Sequence, residues 1–296
     1  MAAGSTTASR TAASRTAARR RFAQRAQSTL LHLFLLVGVT VSIFPLYWMI
    51  MSSLKAPGHI FTLPPQWFVT EPVWRNYIEV FEKTNFATGF LNSTLVTTVK
   101  TVFTLLFSAM GGFAFAKYDF PGKGWLFAFL LGTMMIPGIV TLIPVFMVIV
   151  RIGWVNTYQA LIVPGLASAF GIFLMRQYML SIPDELLDAA RMDGAGDMRL
   201  FFQMALPMSI PPLVTLAIFT FFANWNDLFW PIIIIRTKNL YTLPLAILLL
   251  RTRFPLHVDY AVIFAASFLA TVPTLLVFFF LQRYFQGDIL GGALRE

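Results

Sequence analysis

Acidic side chains gather in one polar loop (residues 181–207) that lies between two long apolar segments. The loop contains five of the 13 acidic residues in the chain, namely Asp184, Glu185, Asp188, Asp193 and Asp197. A stretch with this charge cannot lie in hydrocarbon, because ionised side chains and unpaired backbone groups are costly at membrane depth. These residues can supply a charged surface in water, and we predict that the loop is a docking surface for a soluble partner.

The rest of the sequence contains no residue pattern that indicates a catalytic or metal-binding site. Cysteine is absent, which excludes disulfides, thiolate metal sites and cysteine nucleophiles. His32, His59 and His257 are scattered and show no metal-ligand spacing. Residues 121–124 read Pro-Gly-Lys-Gly and lack the first glycine and the hydroxyl residue of a phosphate-binding loop. The chain is therefore predicted not to hydrolyse ATP itself.

The composition indicates a membrane protein. The 296 residues are 57% hydrophobic and 12% charged, whereas soluble domains carry about 25% charged residues. With repeated long apolar runs, this predicts an all-α polytopic membrane protein with six transmembrane helices. The predicted spans are residues 30–51, 90–116, 125–150, 157–178, 208–235 and 260–284. Pro137 and Pro144 are predicted bend sites in the third span, and a short amphipathic helix is predicted at 74–81.

The spans divide the chain into three predicted parts. Residues 1–28 form a basic tail that is predicted to be disordered and cytoplasmic. Residues 29–285 form the six-span domain, which includes the polar loop. Residues 286–296 form a short cytoplasmic C-terminal tail. The first apolar run is too long for the core of a signal peptide, so it is predicted to remain as an uncleaved span.

Basic residues predict the orientation of the chain. Cytoplasmic segments of membrane proteins are enriched in lysine and arginine. The basic tail and four further cations then lie inside: Lys117, Lys123, Arg191 and Arg199. They outweigh four cations in a predicted outer connection: Arg236, Lys238, Arg251 and Arg253. The net charge of +9 is therefore interpreted as a determinant of orientation in the membrane and of attraction to lipid, rather than as a sign of nucleic-acid binding.

The polar loop predicts a helix that ends at a glycine. Ser181 and Asp184 have the spacing of a capping box, with Pro183 in the first turn, where its missing N–H costs nothing. The helix then runs to about Asp193. Gly194 is placed as its left-handed C-cap.

A second helix is predicted after this glycine. Asp197 is placed to cap it, residues 198–205 form it, and Leu206-Pro207 leads into the fifth span. Two capped helices at a glycine elbow make a stiff element along the inner face of the membrane.

The polar loop resembles a known loop of transport proteins. The EAA loop in permease subunits of bacterial ABC importers reads Glu-Ala-Ala, three residues, Gly, and about eleven residues to a Leu-Pro. Here Asp188-Ala189-Ala190 is followed by Gly194 and then by Leu206-Pro207. Asp188 stands where the family usually has glutamate, which keeps the charge and shortens the reach.

Other stretches resemble the carbohydrate-importing branch of that family, in particular the smaller six-span permease of a maltose-type heterodimer. They are Asn92-Ser93, residues 114–123, residues 224–231 and residues 287–295. In the family, the last of these lies in a C-terminal tail that reaches between the two ATPase subunits. The basic N-terminal tail is not part of the family pattern.

The resemblance implies an ABC type I importer permease fold and a non-catalytic subunit of the bacterial cytoplasmic membrane. This subunit would form half of a sugar pathway, together with a homologous permease, two ATP-binding subunits and an extracellular substrate-binding protein. No cofactor is expected on this chain, since ATP and Mg would bind to the ATPase subunits. The residues implied to contact the ATPase are Asp184, Glu185, Asp188, Ala189, Ala190, Asp193, Gly194 and Pro207.

Three alternatives stay open. The first is an importer of glycerol 3-phosphate or a related polar solute, since such permeases resemble sugar permeases. The second is a stand-alone secondary transporter, which predicts inverted repeats and buried coupling acids; Asp227 is the one acid clearly within a span. The third is a membrane-embedded enzyme, for which the sequence offers no nucleophile or metal set.

A polar cluster near the outer end of the fifth span has two interpretations. Its residues are Asn224, Trp225, Asn226 and Asp227. Either they line the solute pathway, with an indole stacked on a sugar ring, or they form hydrogen bonds between helices. Lys100 in the second span is expected to snorkel or to face a protein cavity. The apolar run 243–250 is expected to enter the membrane or to pack on a partner.

Overall fold

The computed structural model describes residues 5–253 and 258–284. These residues are largely helical and contain no β-strand, as the predicted all-α class requires. The first seven helices are α1 (Ser5–Ser53), α2 (Arg75–Lys83), α3 (Phe86–Lys117), α4 (Lys123–Met134), α5 (Gly138–Arg151), α6 (Tyr158–Ile162) and α7 (Ala169–Met179). They are followed by α8 (Asp184–Met192), α9 (Asp197–Leu200), α10 (Leu206–Met208), α11 (Ile210–Trp225), α12 (Phe229–Ile234), α13 (Leu243–Arg253) and α14 (Tyr260–Leu281). The predicted C-terminal tail, residues 286–296, lies outside the described residues.

Three of these helices are long and apolar enough to cross a membrane alone. They are Gln27–Ser53 within α1, Phe86–Lys117 and Tyr260–Leu281, and they match the predicted first, second and sixth spans. Two bent helix pairs pass the same test only when each pair is joined, so the described residues hold up to five spans by length and composition. The predicted six spans are therefore not present as six continuous helices.

Proline and glycine explain where the predicted third and fourth spans are broken. α4 and α5 meet at 102° beside Pro137, which confirms this bend site, whereas Pro144 lies inside α5. The predicted fourth span consists of α6 and α7, separated by a segment that includes Pro164 and Gly165. Gly165 has a φ of 85°, which an α-helix does not accept. α11 ends at Trp225, and α12 continues the predicted fifth span after a short break.

The first helix is longer than predicted. The sequence predicts a disordered tail at residues 1–28, but the structure continues α1 back to Ser5. Alanine and arginine are strong helix formers. A spanning helix also provides the nucleus on which further turns add at little cost. The helix propensity of these residues therefore outweighs the repulsion between their charges.

The centre of the fold is the crossing of α3 with α7, the most extensive contact between two helices of the described chain. Glycines make this crossing close. A Cβ added to Gly112 would lie 2.5 Å from Met175 Cβ, and one added to Gly171 would overlap the Ser108 side chain. Small residues allow helices in membranes to approach until their backbones are in contact.

The apolar run 243–250 belongs to α13, which packs on α3 and α14 of its own chain. Leu243 is buried, and its N–H donates to Ser93 Oγ at 2.8 Å. The Asn92 side chain donates to the carbonyl oxygens of Asn239 and Tyr241 just before α13. The apolar residues of this run therefore pack in part on helices of the same subunit. Its entry into the membrane and its contact with a partner stay predictions.

Candidate functional site

The polar loop folds as two helical segments joined at a glycine. α8 forms the first segment, and the second runs from Asp197 through α9, a π-helical turn (Phe201–Ala205) and α10 to Met208. A bend of 79° then separates this segment from α11, next to Pro211-Pro212. The second helix is therefore longer than the predicted residues 198–205.

The elbow at Gly194 has the predicted geometry. Gly194 has a φ of 82°, in the left-handed region. The Ala195 N–H donates to Ala190 O and the Gly194 N–H donates to Arg191 O, both at 2.9 Å. This pair of bonds is the Schellman motif, which satisfies carbonyl groups at the end of a helix. The predicted C-cap is confirmed, and the elbow is a defined turn.

The predicted N-terminal caps are wrong. The Ser181 hydroxyl donates backwards to Tyr178 O at 2.6 Å, and Pro183 is the N-cap residue of α8 without a side-chain bond. Asp197 is the first residue of α9 and not its cap, which is Gly196. Its carboxylate is engaged elsewhere, as an acceptor from Tyr118. A local sequence pattern could not foresee these competing partners.

One side of the polar loop is buried in the core. Leu187 of α8 and Leu200 of α9 are 1% and 0% exposed. They pack with Phe113 of α3 and with Met175 and Met179 of α7 in one apolar cluster. Burial of a leucine stabilises a fold by roughly 1.5–3 kcal/mol. The loop is therefore fixed to the α3–α7 crossing by its apolar residues.

The other side of the polar loop faces water. Ala190 is half-buried, while the other predicted contact residues are exposed: Asp184, Glu185, Asp188, Ala189, Asp193, Gly194 and Pro207. Met192 and Met198 are also exposed, at 89% and 64%. A groove of about 190 Å³ lies at the elbow and is lined by Ala190, Asp193, Ala195, Arg199, Gln203 and Met204. The arrangement is an exposed surface with charged and thioether groups on a rigid base.

Ion pairs tie two acids of the loop to cations. Lys117 donates its ammonium to Asp184 Oδ1 at 2.7 Å, and this contact holds the pKa of Asp184 below its ordinary value. Arg191 donates to Asp188 Oδ1 at 2.8 Å, which raises the pKa of Arg191. Asp188 and Arg191 are both well exposed, so their pair adds little to stability. Asp188 is thus free to exchange this partner for another cation.

Comparison with known proteins identifies the class of the chain. Residues 106–290, more than half of the chain, match the family described as binding-protein-dependent transport system inner membrane component. This chain belongs to that family. It is accordingly a multi-pass membrane protein and a permease subunit of an ABC transporter, in which the ATPase is a separate polypeptide.

Individual relatives resemble the permease over most of its length. The arabinooligosaccharides transport system permease of Halalkalibacterium halodurans is 33% identical over 86% of this chain and 92% of the relative. The sn-glycerol-3-phosphate transport system permease of Pectobacterium atrosepticum is 32% identical, with the same coverage of 86% and 92%. Among solved structures, a bacterial ABC transporter involved in the import of the acidic polysaccharide alginate has a chain of the same fold. Its TM-score is 0.78 at 21% identity, over 88% of this permease and 97% of that chain.

The possible solute-pathway residues, 224–227, do not form a single site in the structure. Trp225 is 3% exposed, and its indole N–H donates to Ala270 O of α14 at 3.0 Å. Its ring stacks on Phe221 at 5.6 Å and meets Phe90 edge-on at 5.7 Å. Of the two roles that the sequence left open, this placement favours packing between helices, because no face of the indole is available to a sugar.

The neighbouring polar residues of the permease bond mostly within their own segment. Asn224 and Asn226 donate their side-chain amides one turn back, to Thr220 O and Phe222 O. Asp227 accepts from the Trp230 N–H at 3.3 Å, at the break before α12. Lys100 of α3 is 8% exposed and interacts electrostatically with Asp227. Lys100 therefore faces a protein interior, one of the two placements expected for it.

Sequence reasoning missed the partners of the polar loop. Lys117 and Tyr118 follow each other at the end of α3, yet they bond to acids that lie 67 and 79 residues further along the chain. The one available signal is the resemblance of the stretch 114–123 to the family, which by itself gives these residues no role. No local pattern predicts contacts over such separations.

Proposed function

We propose that this permease couples ATP hydrolysis on separate subunits to solute import, and that an ATPase subunit docks on the polar loop. The observation that carries the proposal is the two-sided environment of the loop. Leu187 and Leu200 are buried in the core, while Asp188, Met192 and Met198 face water. A docking element needs a firm attachment to the spans and a free surface for its partner. Methionine adapts its shape to such a partner and is enriched at interfaces.

The proposed assembly contains a homologous second permease, two ATP-binding subunits and an extracellular substrate-binding protein. Dependence on a binding protein is part of the family description. ATP and Mg would bind to the ATPase subunits, and this chain would hold no cofactor. The ATPase is cytoplasmic, which puts the polar loop and both termini on that side. Four cations near the loop agree with this orientation: Lys117, Lys123, Arg191 and Arg199.

The proposed mechanism is a shift between two conformations of the complete transporter. ATP binds better to the closed ATPase dimer and therefore favours the conformation in which the two polar loops approach each other. The spans follow, because each loop is packed on the α3–α7 crossing. In this way the pathway changes from inward-open to outward-open without chemistry on the permease itself.

Charge reversal at Asp188 is expected to weaken docking. In the Asp188→Lys variant, the recovery of ATPase subunits with the permease from solubilised membranes should fall severalfold. The new lysine both removes the acceptor for a partner's cation and stands beside Arg191, its former partner. Asp119→Lys is the matched control, since Asp119 is a fully exposed acid outside the loop that contacts Lys123. Equal recovery of ATPase with the Asp188 and Asp119 variants would contradict the proposed docking.

A carbohydrate is the proposed solute. The relative that imports arabinooligosaccharides and the glycerol-3-phosphate relative are almost equally similar to this permease, so glycerol 3-phosphate is the second candidate. The resemblance of residues 114–123 and 224–231 to the carbohydrate branch favours the sugar. Since Trp225 is packed in the core, most sugar contacts are expected from the second permease.

The binding protein of the same transporter distinguishes the two solutes. Its unfolding midpoint should rise with an oligosaccharide, because a ligand that binds only the folded state stabilises it. Glycerol 3-phosphate at the same concentration should leave the midpoint unchanged. The opposite pattern would replace the sugar by the phosphate ester and leave the docking proposal untouched.

A further inference from the structure

The turn between α3 and α4 contacts both helical segments of the polar loop. Lys117 Nζ donates to Asp184 Oδ1 at 2.7 Å and to Ile182 O at 2.5 Å. Tyr118, the next residue, donates its hydroxyl to Asp197 Oδ1 at 2.7 Å. Asp184 is the first residue of α8, and Asp197 is the first residue of α9. Two consecutive residues, the last of α3 and the first of the turn, thus hold the N-terminal acids of both segments.

This turn is itself firmly placed. The Lys117 side chain is only 3% exposed, at the end of the helix that crosses α7. The Tyr118 ring meets Phe113 edge-on at 5.5 Å, and Phe113 lies 5.5 Å from Phe201 in the second segment. Lys123 closes the turn by donating to Tyr118 O at 2.7 Å. The two donors are therefore held by the end of α3 and by the turn itself, in addition to the polar loop that they bind.

The last turn of α8 is also in contact with Tyr118. The Arg191 guanidinium lies 5.9 Å from the centre of the Tyr118 ring, within the range of a cation–π contact. Burial and the bond to Asp197 raise the pKa of the Tyr118 hydroxyl. α8 is thus held at its first turn by Lys117 and near its last turn by Tyr118.

We propose that Lys117 and Tyr118 are positioning residues, which fix the tilt of the polar loop on the α3–α7 core so that movement of the ATPase reaches the spans. The proposal rests on the proposed function, since it takes the loop as the docking surface. The elbow at Gly194 sets the angle between the two segments but not their tilt on the core. Leu187 and Leu200 attach the segments through apolar contacts, which are not directional. Hydrogen bonds from the turn supply the direction that these contacts lack.

The test measures coupling in the complete transporter, reconstituted in vesicles with its second permease, ATPase subunits and binding protein. Tyr118→Phe removes only a hydroxyl, and Lys117→Met removes the ammonium group while keeping the chain length. Tyr118→Phe should lower the amount of solute transported per ATP hydrolysed by about fivefold, the factor that corresponds to one hydrogen bond of about 1 kcal/mol. Lys117→Met loses the bonds to both Asp184 and Ile182 and should lower this amount at least as much. The ATPase subunits should remain bound. Lys117→Arg, which keeps the cation, should restore most of the ratio.

A control and a double variant distinguish positioning from general damage. Asp119→Asn alters the same turn at a side chain that contacts Lys123 and not the polar loop, so its coupling ratio should equal that of the unaltered transporter. If the hydroxyl acts through Asp197, adding Asp197→Ala to Tyr118→Phe should cause no further loss, because residues in direct contact are not additive.

Three results would overturn the proposal. One is an unaltered coupling ratio in both Lys117→Met and Tyr118→Phe. The second is a loss of equal size in Asp119→Asn. The third is a loss in the Lys117 and Tyr118 variants that is fully explained by a lower unfolding midpoint of the permease. If Asp188→Lys still loses the ATPase while the Lys117 and Tyr118 variants couple normally, the positioning proposal is refuted and the docking proposal stands. If Asp188→Lys retains the ATPase, the proposed docking is refuted.

Discussion

Gly112→Ala is expected to disrupt the α3–α7 crossing and to lower the unfolding midpoint of the permease sharply. The added Cβ would lie 2.5 Å from Met175 Cβ, 2.8 Å from the Arg176 backbone nitrogen and 3.0 Å from the Met175 carbonyl carbon. Two of these atoms belong to the backbone of α7, so a change of rotamer cannot relieve the overlap and the helices must separate. Overpacking of a core costs about 1–3 kcal/mol and occasionally more, and we expect the upper part of this range.

Alanine variants of two further glycines give a graded series of unfolding midpoints. A Cβ on Gly111 would meet the Ile172 side chain at 3.0 Å, which a small movement of that side chain relieves. A Cβ on Gly132 of α4 would meet nothing within 4 Å in this chain, and alanine there gains about 1 kcal/mol of helix propensity. Thermal unfolding of the purified permease and its abundance in membranes should rank Gly132→Ala above Gly111→Ala, and Gly111→Ala above Gly112→Ala. Equal midpoints for the Gly112 and Gly132 variants would contradict the close approach of α3 and α7.

The same crossing explains how a movement of the polar loop is transmitted to the spans. Leu187 and Leu200 pack on the helices that Gly112 brings together. A displacement of the loop therefore acts on α3 and α7 at once and not on a single helix end. Disruption of the crossing would remove the base of the loop even where the loop itself is unaltered.

Local signals in the sequence are sufficient to predict the elbow of the polar loop. A glycine after a short amphipathic helix indicates a left-handed C-cap, and Gly194 has that conformation with both Schellman bonds. The start of α8 was mispredicted from an equally local signal. Ser181 matches a capping pattern, but its hydroxyl is used by Tyr178 O, a partner that the pattern does not include.

Contacts between distant parts of the chain could not be predicted in this way. Trp225 had two open roles because a tryptophan among amides fits both a sugar site and a helix interface. The Ala270 carbonyl, 45 residues away, decides between them. The bonds from Lys117 and Tyr118 to the polar loop are similar cases. Each depends on how α3 lies against α7, and that geometry results from glycine packing rather than from the charge of the residues concerned.

Gly194→Val is expected to uncouple the transporter. The position has a φ of 82°, and an added Cβ would meet nothing within 4 Å. Space is therefore sufficient, and the cost lies in the backbone, because a β-branched residue in the left-handed region loses roughly 1–2 kcal/mol. The elbow would relax to a negative φ and lose the bond from the Ala195 N–H to Ala190 O. The two segments would then no longer present one surface, and stimulated ATP hydrolysis and transport should both fall about tenfold.

Gly194→Asn distinguishes the effect of the backbone conformation from the effect of an added side chain at the surface. Asparagine enters the left-handed region far more readily than valine, yet it places a side chain of similar size at the same exposed position. If conformation is what matters, the asparagine variant should transport at close to the unaltered rate while the valine variant fails. Equal failure of both would assign the effect to contact with the ATPase, since the two variants share only the added side chain. Normal transport and normal ATPase stimulation with valine would refute the role of the elbow in coupling, because the strained turn would then have no consequence for the spans.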